Sequence, residues 1–331
     1  MQGKDAVLIY NPNSGRGKAA MLATDFFQHW EDRAGTELRL RPTRSLADIR
    51  VAAAEIQEHE LPIFMGGDGT LSESLQGLAE MASFAPLSRP IGFLPGGTGN
   101  SFLRDFGITG YASARDALLN AIAGNQTLGV DVGLIEYSRV SPNTAGSEPD
   151  ARQTVRRLTM NIFAVGLISD ITALAIRMRA LGSFNYTLAS LIKLLFHRPY
   201  RYHLRVDGKS RDVDCNLVCV SNSRFTGGAM EIAPEVRVND GRLFWLCPQI
   251  KGRLAAFGLF PSIFKGTHIR HPQIETDFIR ELTIECEPAL LMNIAGELES
   301  GWNPTIRVQP GYFQLYMDPE RLQHRTGRAD G

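Results

Sequence analysis

The chain has 331 residues, 44% hydrophobic and 21% charged, which is enough for two folded units and too apolar for a disordered chain. Its 35 Lys and Arg balance 35 Asp and Glu, so there is no global electrostatic case for a nucleic-acid partner, and anion binding has to be local. The four cysteines (Cys215, Cys219, Cys247, Cys286) lack the spacing of a zinc site and the density of a disulfide framework; reduced thiols are expected, with Cys215 and Cys219 in the core.

Ala6 to Tyr10 is a short apolar run suited to a strand buried on both faces. It starts so early that no signal peptide is expected, and no stretch approaches the roughly 20 apolar residues of a spanning helix. A soluble or peripheral cytoplasmic protein is the expectation. Asn11 to Lys18 is a turn-rich polar loop ahead of a helical pattern from Ala19 to Trp30. Leu38 and Leu40 alternate with charges as in an edge strand, Ser45 is placed to cap a helix running to about Glu58, and Leu61 to Met65 is the next buried strand. Gly66-Gly67-Asp68-Gly69-Thr70 follows, then a helix to about Met81. Ile91 to Leu94 reads as a strand, Pro95-Gly96-Gly97-Thr98-Gly99-Asn100 as a third polar loop, and Tyr111 to Ala123 as a helix. Strands alternating with helices imply a parallel sheet, whose ligands bind outside the carboxyl ends of the strands. Three loops at that edge point to one phosphate-bearing ligand.

The loop at Gly66 to Thr70 carries the chemistry. Glycines before a helix let phosphate oxygens approach backbone N–H groups at its positive end. A carboxylate there repels phosphate unless a metal or a proton to be removed justifies it, so Asp68 reads as chemistry, against the plainer alternative of a helix cap. No Gly-Lys-Ser/Thr follows, and Ser72 stands where a dinucleotide fingerprint has its third glycine.

From about residue 128 the pattern changes. Val130 to Ile135 starts a strand, Ser138 to Arg157 is a polar insert read as a long hairpin loop, and Leu158 to Val165 is a strand again. Further short runs (Tyr202 to Val206, Asn216 to Val220, Arg242 to Leu246, Glu281 to Glu285, Leu290 to Ile294, Thr305 to Val308) suggest a mainly antiparallel second domain over 129–309, with a tail from about 310 packing back on the first. Ile171 to Leu181, Tyr186 to His197 and Leu254 to Phe264 interrupt it as helical, apolar stretches. Arg177 to Arg211 holds eight Lys or Arg against one acid, Asp207, a balance that suits either an anionic membrane surface or a core helix with a solvated edge.

The chain resembles the diacylglycerol kinase catalytic-domain family, which includes bacterial diacylglycerol kinases, sphingosine kinases and ceramide kinases. The resemblance rests on Asn11-Pro12-Asn13-Ser14-Gly15, Gly66 to Thr70 with Glu73, Pro95 to Asn100, and Asn222 through Gly227-Gly228 to Pro234 with Asn239-Asp240-Gly241, in order over nearly the whole chain. It implies an α/β domain with a parallel sheet, similar to NAD kinases and phosphofructokinases, plus a β-rich lipid domain, with ATP and Mg2+ as cofactors and a membrane lipid as substrate. By carry-over Asp68 is the general base, and Glu297 belongs to the active site. Asn11, Ser14, Gly66, Gly67, Gly69, Thr70, Gly97, Thr98, Gly99 and Asn100 hold nucleotide, and Asp240 serves the metal. Ala295-Gly296-Glu297 stands where the family often has Asp-Gly-Glu, so one expected acid is missing. Val165 to Asp170 with Arg177 and Arg179 looks like the corresponding stretch of sphingosine and ceramide kinases; the basic pair is implied to approach phosphate. Asp170 is implied to meet a sphingoid head group, and the alternatives are a diacylglycerol kinase and a simple cap for the helix from Ile171. An NAD kinase would not require the apolar 186–196 stretch and carries an Asn-Glu pair absent here. A binding module that has lost catalysis would not need Asp68, Asp240 and Glu297.

Overall fold

The computed structural model describes residues 5–34, 36–97, 100–140, 152–178, 185–196 and 198–323. The chain divides into two compact units, one of Met1–Asp131, Arg237–Asp240 and Gln309–Gly331, the other of Val132–Val236 and Gly241–Val308.

In the first unit the elements are β1 (Ala6–Tyr10), α1 (Ser14–Gly17), α2 (Ala19–Ala34), β2 (Leu38–Pro42), α3 (Leu46–Ala54), β3 (Leu61–Gly66), α4 (Asp68–Met81), β4 (Gly92–Pro95) and α5 (Tyr111–Ala123). The four strands are parallel in the order β2-β1-β3-β4, with Leu8 opposite Ile63 and Phe64 opposite Phe93. Every residue of β1, β3 and β4 is buried, which is why these strands read as unbroken apolar runs, whereas β2 at the edge alternates. Ser45 caps α3 by accepting from the Asp48 N–H at 3.1 Å, as its sequence position implies. The last part of the chain completes this unit: Leu87 donates to the Tyr312 carbonyl at 2.7 Å, Ile91 donates to Gln314, and Tyr316 donates to Ile91. Tyr312, Phe313 and Leu315 are buried there.

The second unit holds β5 (Thr127–Val140), β6 (Arg152–Thr159), β7 (Ile162–Gly166), α6 (Leu167–Arg177), α7 (Asn185–Phe196), β8 (Tyr200–Val206), β9 (Lys209–Cys215), β10 (Leu217–Ser221), β11 (Phe225–Thr226), β12 (Met230–Glu231), β13 (Leu243–Pro248), α8 (Arg253–Ile263), β14 (Ile274–Ile279), β15 (Glu281–Glu285), β16 (Leu290–Ile294) and β17 (Glu297–Tyr316). The short α9 (Glu320–Gln323) lies near the end of the chain, in the first unit. β5 and β17 each carry the chain from one unit into the other. An eleven-stranded sheet runs β14-β13-β10-β7-β16-β17-β15-β8-β9, with β5 paired to β17 and β6. Its central strands alternate between two cores. Phe163, Val165, Val218, Val220 and Trp245 point to one; Ile162, Ala164, Cys219, Phe244 and Leu246 point to the other, which α6, α7 and α8 cover.

The polar insert is less of a loop than its composition suggests. β5 continues to Val140 and β6 begins at Arg152, paired antiparallel with Glu136 opposite Arg156. Their charges face outward in cross-strand pairs such as Arg156 to Glu136 at 2.8 Å, so a polar sequence forms a strand here. Residues 141–151 lie outside the described residues. Likewise the apolar 158–165 run is broken between β6 and β7, and the helix expected from Ile171 starts four residues earlier, after Gly166 at φ +83°.

His268, 2% exposed, donates from Nε2 to the Ile232 carbonyl at 3.1 Å, and its Nδ1 is buried without a partner among the described residues. Burial holds this imidazole below its usual range. The unfolded chain therefore takes a proton below about pH 6.5 that the folded state takes only at lower pH, and His268 subtracts stability as pH falls through that window. Melting temperature measured from about pH 7 to about pH 5 should fall less steeply in His268→Gln than in the parent.

Candidate functional site

β1, β3 and β4 are neighbours in the sheet, so the loops leaving their carboxyl ends emerge side by side. Their backbones touch. Gly96 N–H donates to the Gly66 carbonyl at 2.8 Å. A Cβ on Gly97 would stand 2.7 Å from the Gly67 Cα and N, and one on Gly15 would stand 2.4 Å from the Gly96 carbonyl oxygen. Glycine is required because main chain packs on main chain, leaving no volume for a methyl group. In the first loop Gly15, Arg16 and Gly17 all have positive φ, +61°, +62° and +84°, a run of left-handed turns that folds the chain back sharply.

Gly67 is the N-cap of α4, and Asp68, Gly69 and Thr70 are its first turn, where helix N–H groups and the macrodipole favour an anion. Asp68 is therefore not the cap. Its carboxylate instead accepts from two backbone donors of the third loop, Ser101 N–H at 2.9 Å on Oδ2 and Phe102 N–H at 3.1 Å on Oδ1. These N–H groups open the short 3-10 helix Phe102–Phe106, so one carboxylate closes that helix start while sitting on another. One lone pair on each oxygen stays available. Thr70 is buried, and its carbonyl accepts from Ser74 Oγ at 2.7 Å.

Asn11 shapes its own loop. Oδ1 accepts from Asn13 N–H at 2.9 Å, Nδ2 reaches the Arg44 carbonyl at 3.4 Å, and the Asn11 carbonyl accepts from Ser14 N–H at 2.9 Å. Asn100 Nδ2 donates to the Gly97 carbonyl at 3.3 Å, while its Oδ1 is buried and meets no donor among the described residues. Thr98 and Gly99 lie outside the described residues, as does Arg179. Asp240, half-buried, belongs to the Arg237–Asp240 segment of the same unit, where Val238 accepts from Asp131 N–H at 2.7 Å.

The remaining candidates sit in the second unit. Glu297 is exposed at the start of β17, just after a two-residue hairpin turn at Ala295 (φ +51°) and Gly296 (φ +97°). Arg177 is exposed in the last turn of α6. Asp170 is in the first turn of α6, the helix having begun at Leu167, and makes no cap bond. Its Oδ2 accepts from Tyr200 Oη at 2.6 Å and lies 3.5 Å from the Lys193 ammonium. Burial, then the bond to Asp170, pushes the Tyr200 phenol far above its usual range, so it stays a donor. Nothing in the sequence marked Lys193, Tyr200, Ser101 or Phe102 as partners of the two acids; Ser101 and Phe102 act through their main chain, which residue type does not reveal.

Three touching loops at the carboxyl edge of a parallel sheet, with a helix N-terminus and an anchored carboxylate, have the form that suits a phosphate-bearing ligand, on an α/β unit joined to a β-rich one. Residues 5–135 match the diacylglycerol kinase catalytic domain, and residues 162–317 match the YegS C-terminal NAD kinase beta sandwich-like domain. A diacylglycerol kinase of Bacillus subtilis is 30% identical over 300 residues, covering 89% of this chain and 90% of that protein. One of Mycobacterium tuberculosis is 29% identical over 311 residues, 93% of each. The fold matches the crystal structure of a diacylglycerol kinase from Bacillus anthracis with a TM-score of 0.66 at 20% identity, over 96% of this chain and 98% of that one. The chain belongs to the diacylglycerol kinase family and is a lipid kinase that uses ATP.

Two substitutions probe the site's construction. Gly97→Ala should cost about 1–3 kcal/mol by overpacking, read by thermal melting, and weaken ATP binding read by calorimetry. Ala295→Gly should raise stability by about 1 kcal/mol, because it relieves a non-glycine residue of a left-handed conformation.

Proposed function

We propose that the chain transfers the γ-phosphate of Mg·ATP to the free hydroxyl of a diglyceride, forming a phosphatidate-type product. The observation that carries this reading is the placement of Asp68. It stands at the start of α4 among the three glycine loops, its orientation fixed by Ser101 and Phe102 and a lone pair on each oxygen left for a hydroxyl proton. The N–H groups at Gly67 to Gly69, where α4 begins, and at Gly97 suit the triphosphate, and the buried, undonated Oδ1 of Asn100 suits an N–H donor of the nucleotide. Among the described residues no cluster of three or more His, Cys, Asp or Glu could hold a metal alone. That fits magnesium, which takes one or two carboxylates and completes its shell with phosphate oxygens and water; Asp240 is the proposed carboxylate. When bound, the ion neutralises the charge that builds on the transferring phosphoryl group. Asp68 orients the acceptor hydroxyl and draws off its proton as the new P–O bond forms and the bond from the γ-phosphorus to the bridging oxygen breaks, releasing ADP.

The acceptor is argued from Asp170. A sphingoid ammonium needs a carboxylate with charge to spare, but Asp170 already faces Lys193 and a Tyr200 hydroxyl. A neutral diglyceride asks for no such counter-charge, and the relatives named above are diacylglycerol kinases. Membrane lipid as substrate implies work at a bilayer surface; among the described residues no helix is long and apolar enough to cross one.

The test is transfer of labelled γ-phosphate to diacylglycerol, sphingosine and ceramide in mixed micelles, with NAD as control. Diacylglycerol should be the best acceptor, and Asp170→Asn should leave that ranking unchanged. Asp68→Asn should stay folded, at a cost of about 1 kcal/mol for the hydrogen bond lost, and reduce turnover by about 100- to 10,000-fold. A sphingoid lipid as best acceptor would overturn the diglyceride reading, and full activity in Asp68→Asn would overturn the role of Asp68.

A further inference from the structure

The two ends of the large sheet meet across one of its cores. β14 and β9 are the end strands of its main path, yet Arg211 of β9 makes a two-pronged ion pair with Glu275 of β14, at 2.7 and 2.5 Å. The same guanidinium lies over the Trp245 ring of β13, 5.0 Å from its centroid. Strand alternation carries this contact inward. Arg211, Val213 and Cys215 share one face of β9, and Trp245 and Cys247 share one face of β13, with Cys247 opposite Glu275 in the β13–β14 register. Val213, Cys215, Trp245 and Cys247 are buried in the same core.

At the inner end of that contact two thiols meet. Cys215 and Cys247 are both 0% exposed, and the two are hydrogen-bonded to one another. The residues that follow them hold the backbones together: Asn216 N–H donates to the Pro248 carbonyl at 2.8 Å, and Asn216 Oδ1 accepts from Ile250 N–H at 2.7 Å. The bond to Cys247, then burial, push the Cys215 thiol far above its usual range, so it stays protonated and inert while the fold is closed. The other two cysteines are placed differently. Cys219 faces the opposite core, and Cys286 is half-buried just past the end of β15.

We infer that Cys215 and Cys247 are a redox pair that closes to a disulfide and fastens β9 to β13, with a low-molecular-weight disulfide such as oxidised glutathione as the oxidant. One protein thiolate attacks that disulfide, forming a mixed disulfide and releasing one glutathione thiolate. The second protein thiolate attacks the protein sulfur of the mixed disulfide and releases the other. Two protein thiols thereby lose two protons and two electrons, and one disulfide reagent becomes two thiols. Access comes through β9, which pairs with β8 alone among the described strands, so it can open at the end of the sheet without breaking the remaining ladders. Reclosing returns the two sulfurs to contact. The fastening reaches further, because the Asn216 carbonyl accepts from Leu167 N–H at 3.1 Å, and Leu167 begins α6, the helix that carries Asp170. A bond at Cys215 therefore stiffens the corner on which α6 starts.

The test uses the full chain carrying Cys286→Ser, which removes the half-buried thiol and with it cross-linking between molecules. The folded protein is incubated with oxidised glutathione, alkylated, digested and mapped by mass. The expected product is one peptide pair joined through Cys215 and Cys247, two hydrogens lighter than the reduced peptides, with Cys219 left as a thiol. Joining should speed up in urea below the unfolding transition, because opening of β9 limits it. The bond closes a loop of roughly thirty residues, so the joined chain should melt about 5–10 °C above the reduced one, and dithiothreitol should reverse the shift. Amide exchange at Leu167, Asn216 and Ile250 should slow on joining. A second arm bypasses access: the chain unfolded in urea and refolded in a glutathione redox buffer should give the same bond. A refolded chain without it, or with Cys219 joined to either partner, would overturn the inference. So would a joined chain that melts lower than the reduced one, or one whose exchange at those three amides is unchanged.

Discussion

The loop-bearing edge of the parallel sheet depends on one carboxylate bridging two main chains. Asp68 belongs to α4 but its oxygens are held by Ser101 and Phe102, at the start of the next helical turn, so the second and third loops cannot move independently. Gly96 N–H on the Gly66 carbonyl adds a third tie, and the absence of Cβ atoms lets the strands of loop lie in contact. A side chain that keeps two loops in register has its own orientation fixed by the same bonds, so replacing it disturbs the loops and the carboxylate at once.

Much of the first unit was legible in the sequence because its strands are buried on both faces and its loops are glycine-rich for a steric reason. Ala6 to Tyr10, Leu61 to Met65 and Gly92 to Leu94 have no alternative to a parallel sheet interior, and Ser45 sits where a cap must. The second unit was harder. Arg152 to Arg157 has the composition of a loop and the structure of a strand, since cross-strand pairs such as Arg156 with Glu136 replace apolar burial. The start of α6 was displaced by four residues because Gly166, at positive φ, opens the helix inside an apolar run that otherwise reads as strand.

Within the site, residue types announced themselves but their partners did not. Asp68 was conspicuous in a phosphate loop; that it answers to main-chain N–H groups thirty-odd residues away follows only from the fold. Asp170 was equally conspicuous, and its pairing with Lys193 and Tyr200 changes what it offers to a ligand, from an open charge to a satisfied one. Ala295 shows the reverse: a missing acid at a hairpin turn whose left-handed backbone favours a small polar residue or glycine, so the departure from the family pattern has a conformational cost as well as a chemical one.

The route of the chain has a consequence for how the protein is made. The first unit takes its final strand from residues 309 onward, with Tyr312, Phe313 and Leu315 buried against segments synthesised more than two hundred residues earlier. A ribosome therefore releases the whole β-rich unit before the glycine-loop unit can close. During synthesis the loop-bearing sheet waits with an open edge at Ile91, so a chain truncated near its end leaves the glycine-loop unit incomplete, although every one of that unit's motifs is present in it.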